Sequence, residues 1–224
     1  MSVTTFVFDA YGTLFDVASA ARRAASDSPA LAGVWPQLAE TWRRKQLEYT
    51  WLRAITGAHA DFAAVTADSL DWAMESQGLR DATLRSRLLA LYDALDAYPE
   101  VRETLTRLRS SGFRLAILSN GTPAMLERAT HAAGIDGLLH DILSVEEVRI
   151  YKPHASVYGL VERRTGARPQ QVMFVSSNGW DVAGAARFGF RTAWVNRAGL
   201  PRDRLPQRPL HEIPDLSHLP RLIS

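Results

Sequence analysis

Asp9 is the first residue of this chain whose position could do chemistry. The run Thr4 to Phe8 is short, β-branched and aromatic, and it stops at Asp9, ahead of the turn-like Ala10-Tyr11-Gly12-Thr13. A carboxylate delivered by the end of a buried strand is partly desolvated, so it needs a cation beside it or its pKa rises. Ammonium groups are scarce here: of 26 basic side chains only Lys45 and Lys152 are lysine. Lys152, followed by Pro153, is the natural partner for Asp9. A carboxylate kept ionised by a lysine is equipped to act as a nucleophile.

Other polar residues fall at comparable points. Arg114 to Leu118 runs into Ser119-Asn120-Gly121, and Gln171 to Val175 runs into Ser176-Ser177-Asn178, with Asp181 shortly after. Asp9, Thr13, Ser119, Asn120, Lys152, Ser176, Asn178 and Asp181 thus come from four places that one sheet edge would bring together. Each alone could equally cap the helix that follows it. The six histidines show no metal-ligand spacing, and no nucleophile elbow, Walker loop or dinucleotide fingerprint is present.

The elements that must position these residues are readable from periodicity. Residues 16–97 read as helices only: one opens at Trp35-Pro36 and closes at Gly57, and others lie near 61–76 and 81–95. From Pro99 onward helices and strands alternate. The helices are Val101–Ser110, one capped by Thr122 with Pro123 at its first turn, about 154–164, and about 180–188. The strands are 114–118, 142–145, 171–175 and 191–195. That alternation predicts an α/β fold, a Rossmann-like parallel-sheet core with helices on both faces, over residues 1–15 and 98–224. An all-helical insert, residues 16–97, interrupts it. Ligands in such sheets sit beyond the carboxyl ends of the strands. The final 24 residues hold five of the eleven prolines and read as an irregular surface tail.

Composition narrows the function classes. The 224 residues carry no cysteine, which excludes disulfides, thiolate metal sites and a cysteine nucleophile and suits a reducing compartment. The opening residues lack a basic region and an apolar stretch, so a cytoplasmic location is expected. No apolar run approaches the ~20 residues of a membrane helix, so no membrane partner is expected. Net charge is +2, with arginines scattered among acids at helical spacing, which argues for a solvated surface and no nucleic-acid partner.

Four segments together carry a family resemblance. Phe8-Asp9-Ala10-Tyr11-Gly12-Thr13-Leu14, Leu118-Ser119-Asn120-Gly121, Tyr151-Lys152-Pro153 and Val175-Ser176-Ser177-Asn178-Gly179-Trp180-Asp181 resemble, in order and spacing, the motifs of the haloacid dehalogenase superfamily. The closer resemblance is to its metal-free (S)-2-haloacid dehalogenases. Within the insert, Trp42-Arg43-Arg44-Lys45-Gln46-Leu47-Glu48-Tyr49-Thr50-Trp51-Leu52-Arg53 is similar to that family's cap segment. Phosphatases of the superfamily carry an acid two residues after the nucleophile and another that holds Mg²⁺ in the fourth motif; Tyr11 and Ser177 stand at those positions here. The resemblance therefore implies no metal and no cofactor.

What it implies for the site is specific. Asp9 attacks the halogen-bearing carbon, giving an ester that water then hydrolyses. Lys152 pairs with Asp9, and Thr13 fixes its rotamer. Ser119 and the backbone N–H groups of Ala10 and Tyr11 hold the substrate carboxylate, while Arg43 and Asn120 receive the halide. Ser176, Asn178 and Asp181 position the second-step water, Tyr158 supports the site through its hydroxyl, and Tyr11, Leu47, Phe62 and Trp180 form apolar walls. Spacing separates two neighbouring arginines independently. Arg44 has Glu40 and Glu48 four residues away on either side, a solvated stripe; Arg43 has Ala39 and Leu47 there, a face able to meet the core. Lys45 is expected at the surface, Trp51 and Trp72 in the core, and His154 at a helix start. Gly179 departs from the family, where Ala is expected. The implied partner is a small 2-haloacid, and the implied assembly is a homodimer. Three alternatives stay open: another small carboxylate substrate, fluoroacetate included; a phosphatase; and a binding scaffold without activity.

Overall fold

The computed structural model describes residues 2–222; Met1, Ile223 and Ser224, at the ends of the expected core, lie outside the described residues. The core sheet has six parallel strands in the order β3-β2-β1-β4-β5-β6. They are β1 (Thr5–Phe8), β2 (Arg114–Ser119), β3 (Asp141–Ser144), β4 (Val172–Ser176), β5 (Arg191–Val195) and β6 (His211–Ile213). Strand β1 is central, paired with β2 on one side and β4 on the other, so that Phe8 lies level with both Ile117 and Val175. All four of its residues are buried, as a parallel strand covered on both faces requires. The chain crosses from one half of the sheet to the other at β1, which makes the ends of β1, β2 and β4 the crevice where ligands bind.

Helices α1 (Ser19–Ala25), α2 (Pro29–Ala32), α3 (Trp35–Thr56), α4 (Phe62–Ser76) and α5 (Ala82–Tyr92) form the insert. Helix α3 ends at Gly57 in the left-handed conformation, with the Gly57 N–H donating to the Arg53 carbonyl. Asp61 and Asp81 cap α4 and α5 by accepting the N–H groups of Ala64 and Leu84. Trp42 locks α3 onto α4, donating its indole N–H to the Thr66 carbonyl at 2.9 Å. The chain enters and leaves the insert side by side: Asp16 N–H donates to the Asp96 carbonyl, and Tyr98 N–H to that of Leu14.

The remaining helices, α6 (Val101–Ser110), α7 (Pro123–Ala132), α8 (Ala155–Thr165) and α9 (Gly179–Phe188), connect the strands. Thr122 and His154 cap α7 and α8 as the sequence predicts. Four expectations need correction. The proline-rich tail is not simply irregular: His211–Ile213 adds β6 to the sheet edge alongside β5, and the 3-10 turn Leu216–Leu222 buries Leu216 and Leu219 completely. Trp72 is not core: it is 39% exposed, with the Lys45 ammonium 4.3 Å from its ring centre. Trp51 is only half-buried, set edge-on against Trp180. Lys45, for its part, is mostly covered by that ring and by an ion pair with Glu48 at 2.8 Å.

Candidate active site

The end of β1 builds the site. Asp9 N–H donates to the Val175 carbonyl at 2.9 Å, continuing the ladder one residue past the strand and fixing where the carboxylate emerges. Asp9 is 6% exposed, and each of its oxygens is engaged. Oδ1 accepts from the Lys152 ammonium at 3.1 Å. Oδ2 accepts from the Thr13 hydroxyl at 3.1 Å and the Asn178 amide at 2.9 Å. Thr13 can aim its proton at Asp9 because its oxygen already accepts the Ser177 N–H at 2.8 Å. Ser177 is held in turn by the Trp194 indole, which donates to its carbonyl at 3.1 Å.

Lys152 is 1% exposed and bridges two carboxylates, with Asp181 Oδ2 at 2.8 Å. Burial alone would lower its pKa; the Asp181 and Asp9 charges outweigh that and hold the ammonium above its ordinary range. Asp181, fully buried, is pushed up to about 6 by burial, with Lys152 opposing and Asp9 adding to the rise. Its Oδ1 accepts from the Tyr158 hydroxyl at 2.8 Å. Burial also raises Tyr158 well above the ordinary phenol value, so it stays a donor. Helix α9 can approach this closely because Gly184 has no Cβ: one placed there would lie 2.5 Å from the Tyr158 oxygen and 2.7 Å from Pro153.

Arg43 reaches down from α3. Its Nη2 donates to the Tyr11 carbonyl at 3.0 Å and to Asn178 Oδ1 at 3.4 Å. Asn178 therefore touches both the carboxylate and the guanidinium. Tyr11 is 3% exposed and meets Phe62 with tilted rings, 5.3 Å between ring centres. Asn120 accepts the Lys152 backbone N–H at 3.2 Å.

These contacts join Asp9, Tyr11, Thr13, Arg43, Phe62, Asn120, Lys152, Tyr158, Asn178 and Asp181 into one cluster. The remaining expected residues stand around it. Ser119 and Ser176 are fully buried at their strand ends, accepting the N–H groups of Gly121 and Asn178. Ala10 is buried, its carbonyl accepting the N–H groups of Thr13, Leu14 and Phe15. Leu47 is half-buried one turn beyond Arg43, and Trp180 is half-buried against Trp51. At Gly179 a Cβ would meet only the Asp203 carboxylate, the free end of an exposed side chain that can turn aside.

Sequence reading missed the support of Arg43. Gln46 is 1% exposed; its carbonyl accepts from Arg43 Nη1 at 2.9 Å, and its amide donates to Thr66 at 2.8 Å and to the Tyr92 oxygen at 3.1 Å. Tyr92 also stacks on Tyr11, 5.5 Å between ring centres. The available signal was a polar residue three positions after Arg43, on the helix face that meets the core.

A buried carboxylate at the end of the leading strand, its lysine and an inserted bundle of helices together fit a hydrolase of the haloacid dehalogenase-like class, whose family model matches residues 3–189. Within that class the chain belongs to the (S)-2-haloacid dehalogenase family. It is 45% identical to (S)-2-haloacid dehalogenase 1 of Pseudomonas sp. strain CBS-3, over 97% of this chain and 95% of that protein. A crystal structure of a dehalogenase with an intermediate complex is 41% identical and superposes with a TM-score of 0.95, covering 100% of this chain and 98% of that one. The L-2-haloacid dehalogenase of Xanthobacter autotrophicus, solved with chloropropionic acid covalently bound, is 36% identical with a TM-score of 0.89, over 99% and 98% of the two chains.

Proposed function

We propose that this chain hydrolyses short (S)-2-haloalkanoic acids to (R)-2-hydroxy acids and halide, with Asp9 as nucleophile. The observation that carries the reading is the paired arrangement around Asp9: lysine, threonine and asparagine fix its two oxygens, and Arg43 stands on the opposite side of Asn178. A lone pair of an Asp9 oxygen attacks C2 in line, and the C2–halogen bond breaks with its electron pair leaving on halide. Bringing two anions together needs fixed positive charge, which Lys152 and Arg43 supply. The guanidinium, always charged and weakly hydrated, suits the departing halide, with Asn120 beside it. Ser119 and the N–H groups of Ala10 and Tyr11 hold the substrate carboxylate, and Tyr11, Leu47, Phe62 and Trp180 keep the carbon dry.

Water then attacks the Asp9 carbonyl carbon, the bond from that carbon to the substrate oxygen breaks, and Asp9 is regenerated carrying one oxygen from water. Ser176, Asn178 and Asp181 position this water, and Asp181, raised to about 6, is suited to take up its proton. Tyr158 orients Asp181. The division of labour follows the chain: residues 1–15 and 98–224 as the catalytic core, and 16–97 as the cap that brings Arg43. The reading includes a cytoplasmic homodimer, supported by the cysteine-free composition and by exposed Leu52 on the cap. Among the described residues no helix is long and apolar enough to cross a membrane.

Chloride release from each enantiomer of 2-chloropropionate, with and without EDTA, tests the reading. Release from the S form alone, indifferent to EDTA, is expected. EDTA-sensitive hydrolysis of a phosphate ester with no chloride release would overturn it. Sedimentation analysis tests the dimer.

A further inference from the structure

Thr13 is held from two sides. Its side-chain oxygen takes the Ser177 N–H at 2.8 Å, and its carbonyl accepts from Arg197 Nη2 at 3.0 Å. The residue is fully buried, so that carbonyl needs a donor from the protein itself. The turn around it is tight: Gly12 has φ +91°, and the Thr13 N–H reaches back to the Ala10 carbonyl at 3.2 Å. With side chain and backbone both pinned, the Thr13 hydroxyl rests against Asp9 Oδ2 at 3.1 Å.

The end of β5 places Arg197 for this contact. Arg197 follows that strand by two residues, outside the four motif segments and beyond the residues 3–189 that the family model matches. Asn196 pins the turn that carries it. The Asn196 N–H donates to the Ile213 carbonyl at 2.8 Å, and its side chain exchanges two hydrogen bonds with the backbone of Leu200, at 2.8 and 2.9 Å. The guanidinium then spans both segments that join the core to the insert. On the outgoing segment it holds Thr13. On the returning one it pairs with Glu100 Oε1 at 2.7 Å and lies over the Tyr98 ring, 3.7 Å from its centre. A planar fork with a stacking face makes these three contacts at once, which an ammonium cannot do.

We propose that Arg197 is a positioning residue for the nucleophile, acting through Thr13. By holding the Thr13 carbonyl it sets the hydroxyl against Asp9, and by holding Tyr98 and Glu100 it ties that placement to the returning segment of the insert. The inference rests on the dehalogenase reading. In-line attack needs one orientation of the carboxylate, and a misplacement of about 1 Å costs on the order of a hundredfold in rate. Without Arg197 the Thr13 backbone loosens, and Asp9 Oδ2 keeps the Asn178 amide but loses a fixed hydroxyl donor. The loss falls on kcat, because the groups assigned to hold the substrate carboxylate and the halide do not include Arg197.

The test compares kcat and KM for (S)-2-chloropropionate in full-length wild type, Arg197→Met and Glu100→Gln, with urea unfolding of each. Methionine keeps hydrocarbon over Tyr98 and removes both prongs; glutamine at position 100 keeps an acceptor for Nη1. Arg197→Met should lose roughly ten- to a hundredfold in kcat with KM within about twofold. Glu100→Gln should stay within about threefold in kcat although both variants lower the unfolding midpoint. Arg197→Lys, which keeps a cation beside Glu100, covers the case of a methionine variant that fails to fold: it should recover the midpoint and not kcat. In a Thr13→Val background no hydroxyl remains to be positioned, so Arg197→Met should change kcat by less than about twofold. Wild-type kcat in Arg197→Met or Arg197→Lys, a raised KM at unchanged kcat, or losses that multiply in the Thr13→Val background would each overturn the inference and leave the dehalogenase reading standing. No halide release from wild type would overturn the dehalogenase reading itself.

Discussion

The core and cap halves of the site are held in different ways. On the core side Asp9, Lys152 and Asp181 form a buried ionic centre in which every carboxylate oxygen has a partner, set by strand ends whose register the sheet fixes. On the cap side one arginine on one long helix makes the polar contact, steadied by Gln46 and by two oxygens of the core, while Phe62 and Tyr92 add only ring contacts to Tyr11. The difference teaches that the Asp9 carboxylate is held by the fold of the core itself, whereas the place of the Arg43 guanidinium depends on how the helical insert sits. Changes on the core side should therefore damage chemistry and folding together. Changes on the cap side should damage chemistry alone.

The strongest way to break that comparison is at Asp9. Asp9→Asn removes the attacking oxygen anion, and halide release should fall below a few per cent of wild type; more than that would refute the nucleophile. Lys152→Ala comes next. Removing one partner of a buried ion pair costs about 3–5 kcal/mol, so urea unfolding should show a loss of that order along with loss of activity. Arg43→Ala should instead lower kcat by on the order of a hundredfold or more with little change in unfolding midpoint, and Arg43→Lys should not restore it, because an ammonium cannot make the two-pronged contact to Gln46 and Tyr11.

Asp181 sharpens the core side through pH. Its native pKa, about 6, lies above the ordinary carboxylate value of 3.8, so the folded protein binds that proton more tightly than the unfolded chain does. Its contribution is fully present below about pH 4 and is lost as pH rises through 6, on the order of 3 kcal/mol. Asp181→Asn should remove that share of the slope, seen as a narrower difference between unfolding free energies at pH 4.5 and 7. The smallest effect expected is Trp194→Phe. It deletes the hydrogen bond that anchors Ser177 behind Thr13, costing about 1 kcal/mol and a few-fold in kcat.

How much of this was legible in the sequence follows the same division. The core constellation was readable because parallel strands end in polar residues at fixed points, and a scarce lysine marked itself. Arg43 was readable from the helix face it shares with Leu47. Gln46 and Tyr92 were not, because their meaning lies in a contact 46 residues apart that only cap packing creates. Strand β6 was hidden by its three-residue length and proline-rich surroundings, although Leu216 and Leu219 at helical spacing marked the buried turn after it. Trp72 misled because an aromatic residue on a helix reads as core until its cationic neighbours are placed over it.

The central claim, that Asp9 forms an ester, is tested most directly by a single turnover in ¹⁸O-water with enzyme in excess over (S)-2-chloropropionate. The account predicts lactate whose new hydroxyl carries ¹⁶O, drawn from Asp9, and ¹⁸O in the Asp9 carboxylate by mass spectrometry of the peptide containing it. Lactate carrying ¹⁸O in its hydroxyl in that first turnover, with Asp9 unlabelled, would mean that water attacks the substrate carbon directly and would contradict it.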